Sequence, residues 1–298
     1  MNNNPLVSIL VVTYNSADYI LETLESVRKQ TYDNLELIIS DDCSSDSTVD
    51  KASKWIESNK ERFARTEIIT VEKNTGVSAN YNRGIKACHG EWLKNIDGDD
   101  LITPRCVEAN IRHISENPEI EVLFSDMIVF RDTEDNVLYK YSDSDFNGFF
   151  ELSSDEQYKR LIQKNCLPST PLFIKTRLLQ EYGYDERYIG MEDYPMWVKL
   201  TQKGHKVYFF NEITAKYRKG ESVTTSRQRL YSPVYMDSLE MFYWGELYKP
   251  LKDYGFDEAK RYYEKYFFLY HLAILVFRNK GNFVYRAVFS ILRRWMER

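Results

Sequence analysis

The first 100 residues alternate apolar runs with amphipathic stretches, and this alternation restricts the chain to few architectures. Four apolar, partly β-branched runs are typical of buried strands, at residues 7–13, 35–40, 66–71 and 91–96. Three stretches with helical spacing separate them, at 16–30, 48–58 and 78–88. Asn15 or Ser16 is placed to cap the first helix. The pattern predicts an α/β fold with a Rossmann-like, mostly parallel central sheet flanked by helices.

Polar residues follow each of these runs directly. The clusters are Thr13, Tyr14 and Asn15; Asp41 and Asp42; Asn74; and Asp97, Asp99 and Asp100. Because the carboxyl ends of parallel strands meet at one edge of a sheet, these side chains are expected to line one crevice. Open α/β sheets bind their ligands at that edge.

The segment Asp97-Gly98-Asp99-Asp100 carries the densest charge of these clusters. Alternate residues of an extended segment can point the same way, so Asp97 and Asp99 would face one ligand. Two like charges this close favour a hard divalent cation with oxygen ligands, Mg²⁺ or Mn²⁺, shared with a diphosphate. An acidic turn with a capping aspartate explains the motif equally well on its own.

Asp41 and Asp42 place a second acidic pair in the same crevice. Carboxylates at strand ends commonly accept hydrogen bonds from ribose hydroxyls or from a base N–H. The alternative is a solvated turn in which Asp46 or Ser47 caps the next helix.

A third acidic pair, Glu192-Asp193, lies between Gly190 and Pro195. The pattern suggests a helix N-terminus that faces a cleft, where the helix dipole would keep a general base ionised. Two carboxylates that only stabilise a first helical turn are an equally common explanation.

The remaining sequence is less regular. Residues 131–157 are acidic and aromatic and predict an irregular surface excursion, whereas regular structure is expected again at 171–175. The segment 232–298 is predicted to be helical and is rich in aromatic residues.

The last helix of that segment is predicted to be amphipathic. Its apolar stripe consists of Phe283, Val284, Ala287, Val288, Ile291, Leu292 and Trp295. Basic residues surround the stripe, namely Lys280, Arg286, Arg293, Arg294 and Arg298. A basic amphipathic helix with a tryptophan is typical of binding to a membrane surface. Packing against the segment 262–277, within the chain or across a homodimer, is the alternative.

Composition excludes several classes of protein. With 298 residues, 43% of them hydrophobic and 15% aromatic, the chain is expected to be globular. A net charge of −5 argues against a general nucleic-acid binder. The four cysteines form no C-x-x-C pair, which disfavours a zinc site or a disulfide framework. No signal peptide and no apolar run of ~20 residues is visible, so a cytoplasmic protein, soluble or peripheral on the membrane, is expected.

Taken together, the motifs resemble those of family 2 glycosyltransferases. The segments that carry the resemblance start at Val7, Ser26, Ser40, Asn74, Asn82, Asp97 and Glu192. They occur in the order and at the spacing of that family, over roughly residues 5–220. The resemblance implies a GT-A fold, with a donor half at about 1–100, an acceptor half at about 101–225 and a helical extension at 226–298.

The resemblance also implies an inverting reaction with a nucleotide-sugar donor, usually a UDP-sugar, assisted by Mn²⁺ or Mg²⁺. The acceptor would be a saccharide, free or linked to a lipid. Carried over by position, Asp193 is the general base with Glu192 beside it, Asp99 binds the metal together with Asp97, and Asp97 contacts the ribose. The implied donor site consists of Thr13, Tyr14, Asn15, Asp41, Asp42, Asn74, Asn82, Arg83 and Asp97.

Two positions depart from the family pattern. Tyr81 stands where many relatives have an arginine, so a cationic contact to the nucleotide is either missing or supplied by Arg83. Lys219-Gly220-Glu221 follows Arg218 where many relatives have a histidine, so Arg218 or Lys219 would supply a positive charge to the diphosphate instead. Neither side chain can ligate a metal as a neutral imidazole does.

Three other functions share parts of this pattern. A nucleotidyltransferase would carry a glycine-rich, basic loop after the first strand, and Thr13-Tyr14-Asn15-Ser16 has neither glycine nor lysine. A phosphoacceptor domain would leave Glu192-Asp193 without a role. A non-catalytic module that binds a sugar nucleotide or a glycan is favoured only if the departures at Tyr81 and Gly220 abolish turnover.

Overall fold

The first 100 residues fold as the alternation predicts. The structure is a computed structural model that describes residues 4–143, 146, 148–220 and 228–296. Strands and helices alternate in the order β1 (Val7–Thr13), α1 (Ile20–Arg28), β2 (Leu35–Asp41), α2 (Thr48–Asn59), β3 (Arg65–Ile69), α3 (Val77–Ala87) and β4 (Trp92–Asp97). Every residue of β1 and β2 is buried, because helices cover both faces of this part of the sheet.

The second half adds shorter elements. They are β5 (Leu101–Ile102), α4 (Cys106–Glu116), β6 (Val122–Arg131), β7 (Thr133–Lys140), α5 (Ser154–Gln163), β8 (Leu172–Lys175), α6 (Thr176–Tyr182), α7 (Asp193–Gln202) and β9 (Val207–Arg218). The prediction of an irregular excursion at 131–157 is wrong, because β7 pairs with β6 and α5 begins with a capping box at Ser153 and Glu156. All eight residues of β7 are exposed, so it has no apolar face to mark it as a strand.

Within the described residues, nine strands form one sheet in the order β3-β2-β1-β4-β8-β6-β9-β5, with β7 added to β6. The four strands from β3 to β4 are parallel, and β8 joins β4 in the antiparallel sense. Parallel pairing aligns Thr13 with Asp41, and Val12 with Asp97. The carboxyl ends of β1, β2 and β4 therefore lie side by side, as the motifs predicted.

Two apolar layers cover the sheet. One face packs on α1, α2 and α4, with Leu24, Trp55 and Val107 in its core. The other face packs on α3, α5, α6 and α7, around the fully buried Trp197.

The C-terminal segment is helical, as predicted, and shares the second core layer. Its elements are α8 (Pro233–Phe242), a π-helical turn (Tyr243–Leu247), α9 (Tyr248–Asp253), α10 (Asp257–Leu275) and α11 (Phe283–Met296). Phe242, Leu247 and Phe267 belong to the same buried cluster as Trp197 of α7. The boundary expected near residue 225 lies outside the described residues. Among the described helices, none combines the length and apolar character needed to cross a bilayer.

The apolar residues of helix α11 lie in two different environments. Phe289, which the predicted stripe omitted, is buried against Leu269 and Ala273 of α10, and its ring lies 5.1 Å from that of Phe277. The exposed fractions of Phe283, Val284 and Ile291 are instead 86%, 63% and 68%. Packing on the preceding helix is thus confirmed for one face of α11, while a second apolar face stays exposed. The side chains of Arg293, Trp295 and Arg298 lie outside the description.

Candidate active site

The end of β2 shapes the loops of the crevice through Asp41. Its buried carboxylate accepts hydrogen bonds from the Thr13 hydroxyl (2.8 Å), from the Ser44 backbone N–H (2.8 Å) and from the Ser44 hydroxyl. These partners belong to the protein, so the geometry gives Asp41 and the Thr13 side chain a structural role rather than the predicted contact with a donor.

The loop after β1 is held to the loop after β2. Asn15 adopts a left-handed backbone (φ 52°), a conformation that asparagine tolerates better than most residues. Its side-chain oxygen accepts a hydrogen bond from the Ser45 N–H (2.8 Å). The predicted capping of α1 by Asn15 or Ser16 is wrong, because α1 begins only at Ile20 and the two residues bind the second loop instead. Tyr14 is half exposed beside this junction, where its ring is accessible to a planar base.

Asp42 anchors the loop that opens α3. Its carboxylate accepts hydrogen bonds from the backbone N–H groups of Thr75 (2.9 Å) and Gly76 (2.8 Å), and pairs with the Arg83 guanidinium at 3.0 Å. Asn74 is exposed next to this loop. Arg83 thus places a positive charge at the acidic end of β2, and its contact with a nucleotide stays a prediction.

Asn80 is a site residue that the motif comparison missed. Its buried amide donates to the Thr13 carbonyl (3.1 Å) and accepts from the Ser40 hydroxyl (2.6 Å) and from Arg83 (2.8 Å). Asn80 thereby fixes the distance between β1, β2 and α3. Its position one turn before Gly84, on the face of α3 that meets the sheet, is the signal that would have identified it.

Tyr81 takes the place of the arginine common in relatives and binds Asp97. The buried Tyr81 hydroxyl donates to Asp97 Oδ1 at 2.6 Å, and the Tyr81 ring lies 5.1 Å from that of Tyr184. Burial and the charge of Asp99 raise the pKa of Asp97 to about 7, although the hydrogen bond from Tyr81 acts in the opposite direction. One oxygen of Asp97 is therefore held, and the negative charge of this pair requires compensation.

Asp99 is half-buried two residues further on, and burial raises its pKa. Gly98 between the two aspartates is tightly enclosed, because a Cβ there would lie 2.8 Å from Thr13 Cγ2 and 2.9 Å from the Ser16 hydroxyl. This close approach holds the Asp97–Asp99 segment against the loop after β1. The third aspartate, Asp100, is buried and accepts hydrogen bonds from the Thr170 hydroxyl (3.1 Å) and from the Arg218 N–H (2.8 Å), so it supports the segment structurally.

A buried lysine lies beneath the three aspartates. Lys94 on β4 is fully buried, and its ammonium donates to the carbonyls of Asn95 (2.9 Å), Leu172 (3.3 Å) and Thr170. Burial lowers the pKa of Lys94, whereas the nearby charges of Asp100 and Asp97 raise it. The motif comparison did not include this lysine.

Glu192 and Asp193 begin α7, as predicted, and face the acidic end of β4. The charge of Glu192 raises the pKa of Asp97, and the charge of Asp97 raises that of Asp193. Burial raises the pKa of Glu192 to about 7 and that of Asp193 to about 6. Burial outweighs the 2.6 Å hydrogen bond from the Tyr194 N–H, so the pKa of Asp193 is raised rather than lowered at this helix start, and at about 6 it still leaves the carboxyl ionised at neutral pH.

Asn82 positions this acidic pair rather than facing the donor crevice. Its side chain exchanges two hydrogen bonds with the backbone of Tyr184 (2.8 and 2.9 Å) and donates to Glu186 at 2.9 Å. The segment that leads to Glu192 is therefore attached to α3. Because these partners use the amide fully, the geometry does not support the predicted donor contact of Asn82.

Arg218, expected at the diphosphate, is instead buried and forms hydrogen bonds within the protein. Its guanidinium donates to the carbonyls of Asp99 (2.9 Å) and Asp132 (2.8 Å) and to the Glu22 carboxylate, and it packs 4.7 Å from the centre of the Tyr19 ring. Lys219, the other candidate, is exposed, with its ammonium 5.6 Å from the centre of the Tyr139 ring. A diphosphate contact by Lys219 stays a prediction.

We expect Arg218→Met to lower the free energy of unfolding by about 2–3 kcal/mol, because a buried guanidinium loses three partly buried hydrogen bonds. Urea unfolding measures the change, and Arg105→Met, at an exposed ion pair with Glu108, is the matched control. If the variant keeps its stability but loses affinity for UDP, Arg218 contacts the nucleotide as the sequence suggested.

The donor set at the end of β4 fits a hard divalent cation. Carboxylate oxygens are the ligands that Mg²⁺ and Mn²⁺ prefer, and Asp97 and Asp99 are half-buried like charges on one short segment. Among the described residues, no group of three or more His, Cys, Asp and Glu side chains is arranged to hold a metal ion. The protein ligands would thus be these two carboxylates, with the remaining positions open to a phosphate-bearing ligand or water.

Comparison with known proteins identifies the family. The sequence model described as Glycosyl transferase family 2 matches residues 8–177, which is more than half of the chain. The chain belongs to this family. It is 27% identical over 218 residues to the uncharacterized glycosyltransferase MJ1057 of Methanocaldococcus jannaschii, covering 72% of this chain and 71% of the relative. This family 2 glycosyltransferase is also 28% identical over 217 residues to WfaP of Escherichia coli, covering 72% and 77%.

Solved structures support the fold. S. aureus TarS, crystallised with UDP-GlcNAc, matches 79% of this glycosyltransferase and 65% of that chain with a TM-score of 0.58 and 21% identity. The mannosyltransferase PcManGT of Pyrobaculum calidifontis, in complex with GDP-Man and Mn²⁺, matches 72% of this chain and 56% of that chain with a TM-score of 0.53. The match spans less than two thirds of either structure, and it shows a GT-A-like architecture with a C-terminal helical region.

Proposed function

We propose that this glycosyltransferase moves a sugar from a UDP-sugar to a saccharide hydroxyl by a single, inverting displacement. The proposal rests on the proximity of two acidic groups. Asp97 lies at the end of β4 and Glu192-Asp193 at the start of α7, and each raises the pKa of the other. An inverting transfer needs a base on the acceptor side and charge stabilisation on the donor side. The two acidic clusters occupy two elements that meet across one crevice, as this division requires.

On the acceptor side, Asp193 acts as the general base that removes the proton of the attacking hydroxyl. A pKa of about 6 suits this task, because the group is ionised near neutral pH and still basic enough to accept a proton. Glu192 beside it orients the acceptor, and burial and the charge of Asp193 raise the pKa of Glu192.

On the donor side, Tyr14, Asn15, Asn74, Asp42 and Arg83 surround the nucleotide, with Asp42 and Arg83 at the base and Asp97 at the ribose. Asp99, together with Asp97, holds Mn²⁺ or Mg²⁺. When bound, this ion supplies Lewis-acid stabilisation of the departing diphosphate. The names of the relatives support a nucleotide sugar: WfaP is named for UDP-Glc, TarS was crystallised with UDP-GlcNAc, and PcManGT with GDP-Man and Mn²⁺.

The acceptor is proposed to be a saccharide carried on a lipid. WfaP, whose name includes an α-D-GlcNAc-diphosphoundecaprenol acceptor, covers most of this chain at 28% identity. The exposed apolar face at the C-terminal helices, described below, would bring the crevice close to such an acceptor at the cytoplasmic face of a membrane.

Release of UDP tests the proposed function. The protein is incubated with Mn²⁺ and a panel of UDP-sugars, together with saccharide acceptors, and UDP is measured with and without EDTA. We expect one donor of the panel to give release that needs both acceptor and metal. A protein that is thermally stabilised by a UDP-sugar but never releases UDP is instead a non-catalytic binding module.

The exposed face of the α10–α11 hairpin supports a location at the membrane surface. Leu275 and Val276 at the end of α10 are 80% and 61% exposed, and Phe283 and Val284 follow at the start of α11. Both pairs flank the same short connection, so they lie at one tip of the hairpin. The basic side chains exposed around this tip are Arg278, Lys280 and Arg286. Apolar area surrounded by basic residues suits a bilayer with anionic lipids.

We expect the double variant Leu275→Gln, Phe283→Gln to bind vesicles of phosphatidylglycerol at least about tenfold more weakly than the wild type. Both side chains are exposed, so the core around Phe289 is left intact, which truncation of α11 would not do. Co-sedimentation measures binding, with phosphatidylcholine vesicles as the lipid control and Leu21→Gln on α1 as the protein control. If the wild type does not sediment and the variant converts a dimer to a monomer, a second copy covers this face.

A further inference from the structure

The C-terminal helices reach the start of α7. The first turn of α8 packs on the segment before Glu192, where a Cβ on Gly190 would lie 2.9 Å from the Tyr235 backbone nitrogen. The Gly190 N–H donates to the Ser238 hydroxyl at 3.2 Å. On α7 itself, the Tyr194 hydroxyl lies 2.8 Å from that of Tyr263 on α10. Helices α8 and α10 therefore form a wall beside the acidic pair.

Tyr235 lies in the first turn of α8, with its backbone packed against Gly190, two residues before Glu192. Its side chain is half-buried, and its hydroxyl has no hydrogen-bond partner within the described residues. Burial, the neighbouring Tyr266 and the charge of Asp193 all raise the pKa of Tyr235. A phenol next to a carboxylate, with its hydrogen-bonding capacity unused, is suited to bind a hydroxyl of a ligand.

Two further tyrosines extend the surface next to Tyr235. Tyr262 and Tyr266, one turn apart on α10, are stacked with ring centroids 6.1 Å apart and planes within 8° of each other. Tyr262 is 40% exposed, so one aromatic face is open to solvent. Aromatic faces take up the apolar side of a ligand while phenol groups bind its polar edge, and a sugar ring has both kinds of surface.

We propose that Tyr235, with the stacked pair Tyr262 and Tyr266, forms a subsite for a pyranose ring of the acceptor saccharide beside Asp193. The inference rests on the proposed function and names where its acceptor binds. It makes the C-terminal helices part of the acceptor site, because Tyr235 and the stacked pair come from α8 and α10 whereas the catalytic pair comes from α7.

The test compares KM values for donor and acceptor in the full-length protein. The donor is the UDP-sugar that gives most UDP release in the panel above. The acceptor is whichever the wild type uses best among GlcNAc-diphosphoundecaprenol in detergent micelles and the methyl glycosides of glucose, galactose and N-acetylglucosamine. We expect Tyr235→Ala to raise the acceptor KM about tenfold, since a hydrogen bond and an aromatic contact are lost, and to raise the donor KM far less.

Two further variants test the Tyr235 hydroxyl and the Tyr262 ring separately. Tyr235→Phe keeps the ring and should recover part of the acceptor affinity, whereas Tyr262→Ala should weaken acceptor binding as Tyr235→Ala does. Phe268→Ala is the control, since Phe268 is 64% exposed on the side of α10 opposite the stacked pair.

Four outcomes would contradict the subsite. An unchanged acceptor KM in Tyr235→Ala, with the wild type active, overturns it alone. Equal rises of both KM values, or the same effect in Phe268→Ala, indicate a general structural role and overturn it as well. A wild type that releases no UDP from any donor refutes the proposed function, and the subsite with it.

Discussion

Replacement of Asp193 by asparagine is expected to lower kcat by ~10²–10⁴-fold, because the acceptor hydroxyl loses its general base. Affinity for UDP should change little, since the side chain belongs to α7 and not to the strand ends that surround the nucleotide. Steady-state kinetics gives kcat, and calorimetric titration with UDP gives the affinity. Glu192→Gln, the neighbouring variant with the same loss of charge, should cost less.

The pH dependence of the wild type follows from the same assignment. Because the pKa of Asp193 is raised to about 6, the base is ionised above that pH and protonated below it. kcat/KM should therefore fall as the pH drops through about 6 and be independent of this group at higher pH. If Asp193→Asn weakens UDP binding and leaves kcat intact, Asp193 belongs to the donor site. If Glu192→Gln causes the larger loss of kcat, Glu192 is the base.

Asp99→Asn is expected to lower metal-dependent turnover by about 10³-fold, because the departing diphosphate loses its Lewis acid. The fold should be unaffected, since Asp99 is half-buried and its carboxylate, unlike those of Asp41 and Asp100, receives no hydrogen bond from another described residue. Turnover is measured over a range of Mn²⁺ concentrations, and Mn²⁺ binding is followed separately by electron paramagnetic resonance.

Asp50→Asn, an exposed carboxylate in the first turn of α2, is the control for that experiment. Full activity of the wild type in EDTA, or of Asp99→Asn in Mn²⁺, would contradict the metal assignment. A variant that binds Mn²⁺ normally but turns over slowly would show that Asp99 acts on the substrate without holding the ion.

The sequence predicted the scaffold well where local pattern and fold agree. Three of the four strands and all three helices of residues 7–97 bury an apolar face, and periodicity located these elements to within a few residues. The position of Asp41 and Asp97 at the ends of the two strands that flank β1 follows from the parallel register. Strand β7 was not predicted because none of its residues is buried. Its sequence therefore lacks the alternation of apolar and polar residues that would indicate a strand paired with β6.

The roles of individual polar residues were harder to predict, because they depend on partners far away in the chain. Asp41 and Arg218 stand in motif positions, yet both side chains bind partners within the protein. Asp41 accepts a hydrogen bond from Ser44, and Arg218 donates to the carbonyls of Asp99 and Asp132. Tyr81, which looked like a lost contact, supplies a hydroxyl to Asp97. A sequence motif specifies which residue types gather at an edge, whereas the packing of α3 and β9 decides which of them face inward.

The pKa of Asp193 shows the same limit of local reasoning. The helix start was predicted correctly, and the backbone N–H of Tyr194 does act to lower the pKa. Burial acts more strongly in the other direction, with a smaller contribution from the charge of Asp97, which comes from an element distant in sequence.

The anomeric configuration of the transferred sugar tests the central claim most directly. The product formed with the preferred UDP-sugar is examined by proton NMR early in the reaction, before any spontaneous change at the anomeric carbon. A single displacement with Asp193 as base predicts a linkage of inverted configuration relative to the donor, and Asp193→Asn should form that product slowly. A product that retains the configuration of the donor would contradict the mechanism, because two successive displacements or a front-face reaction would then be required.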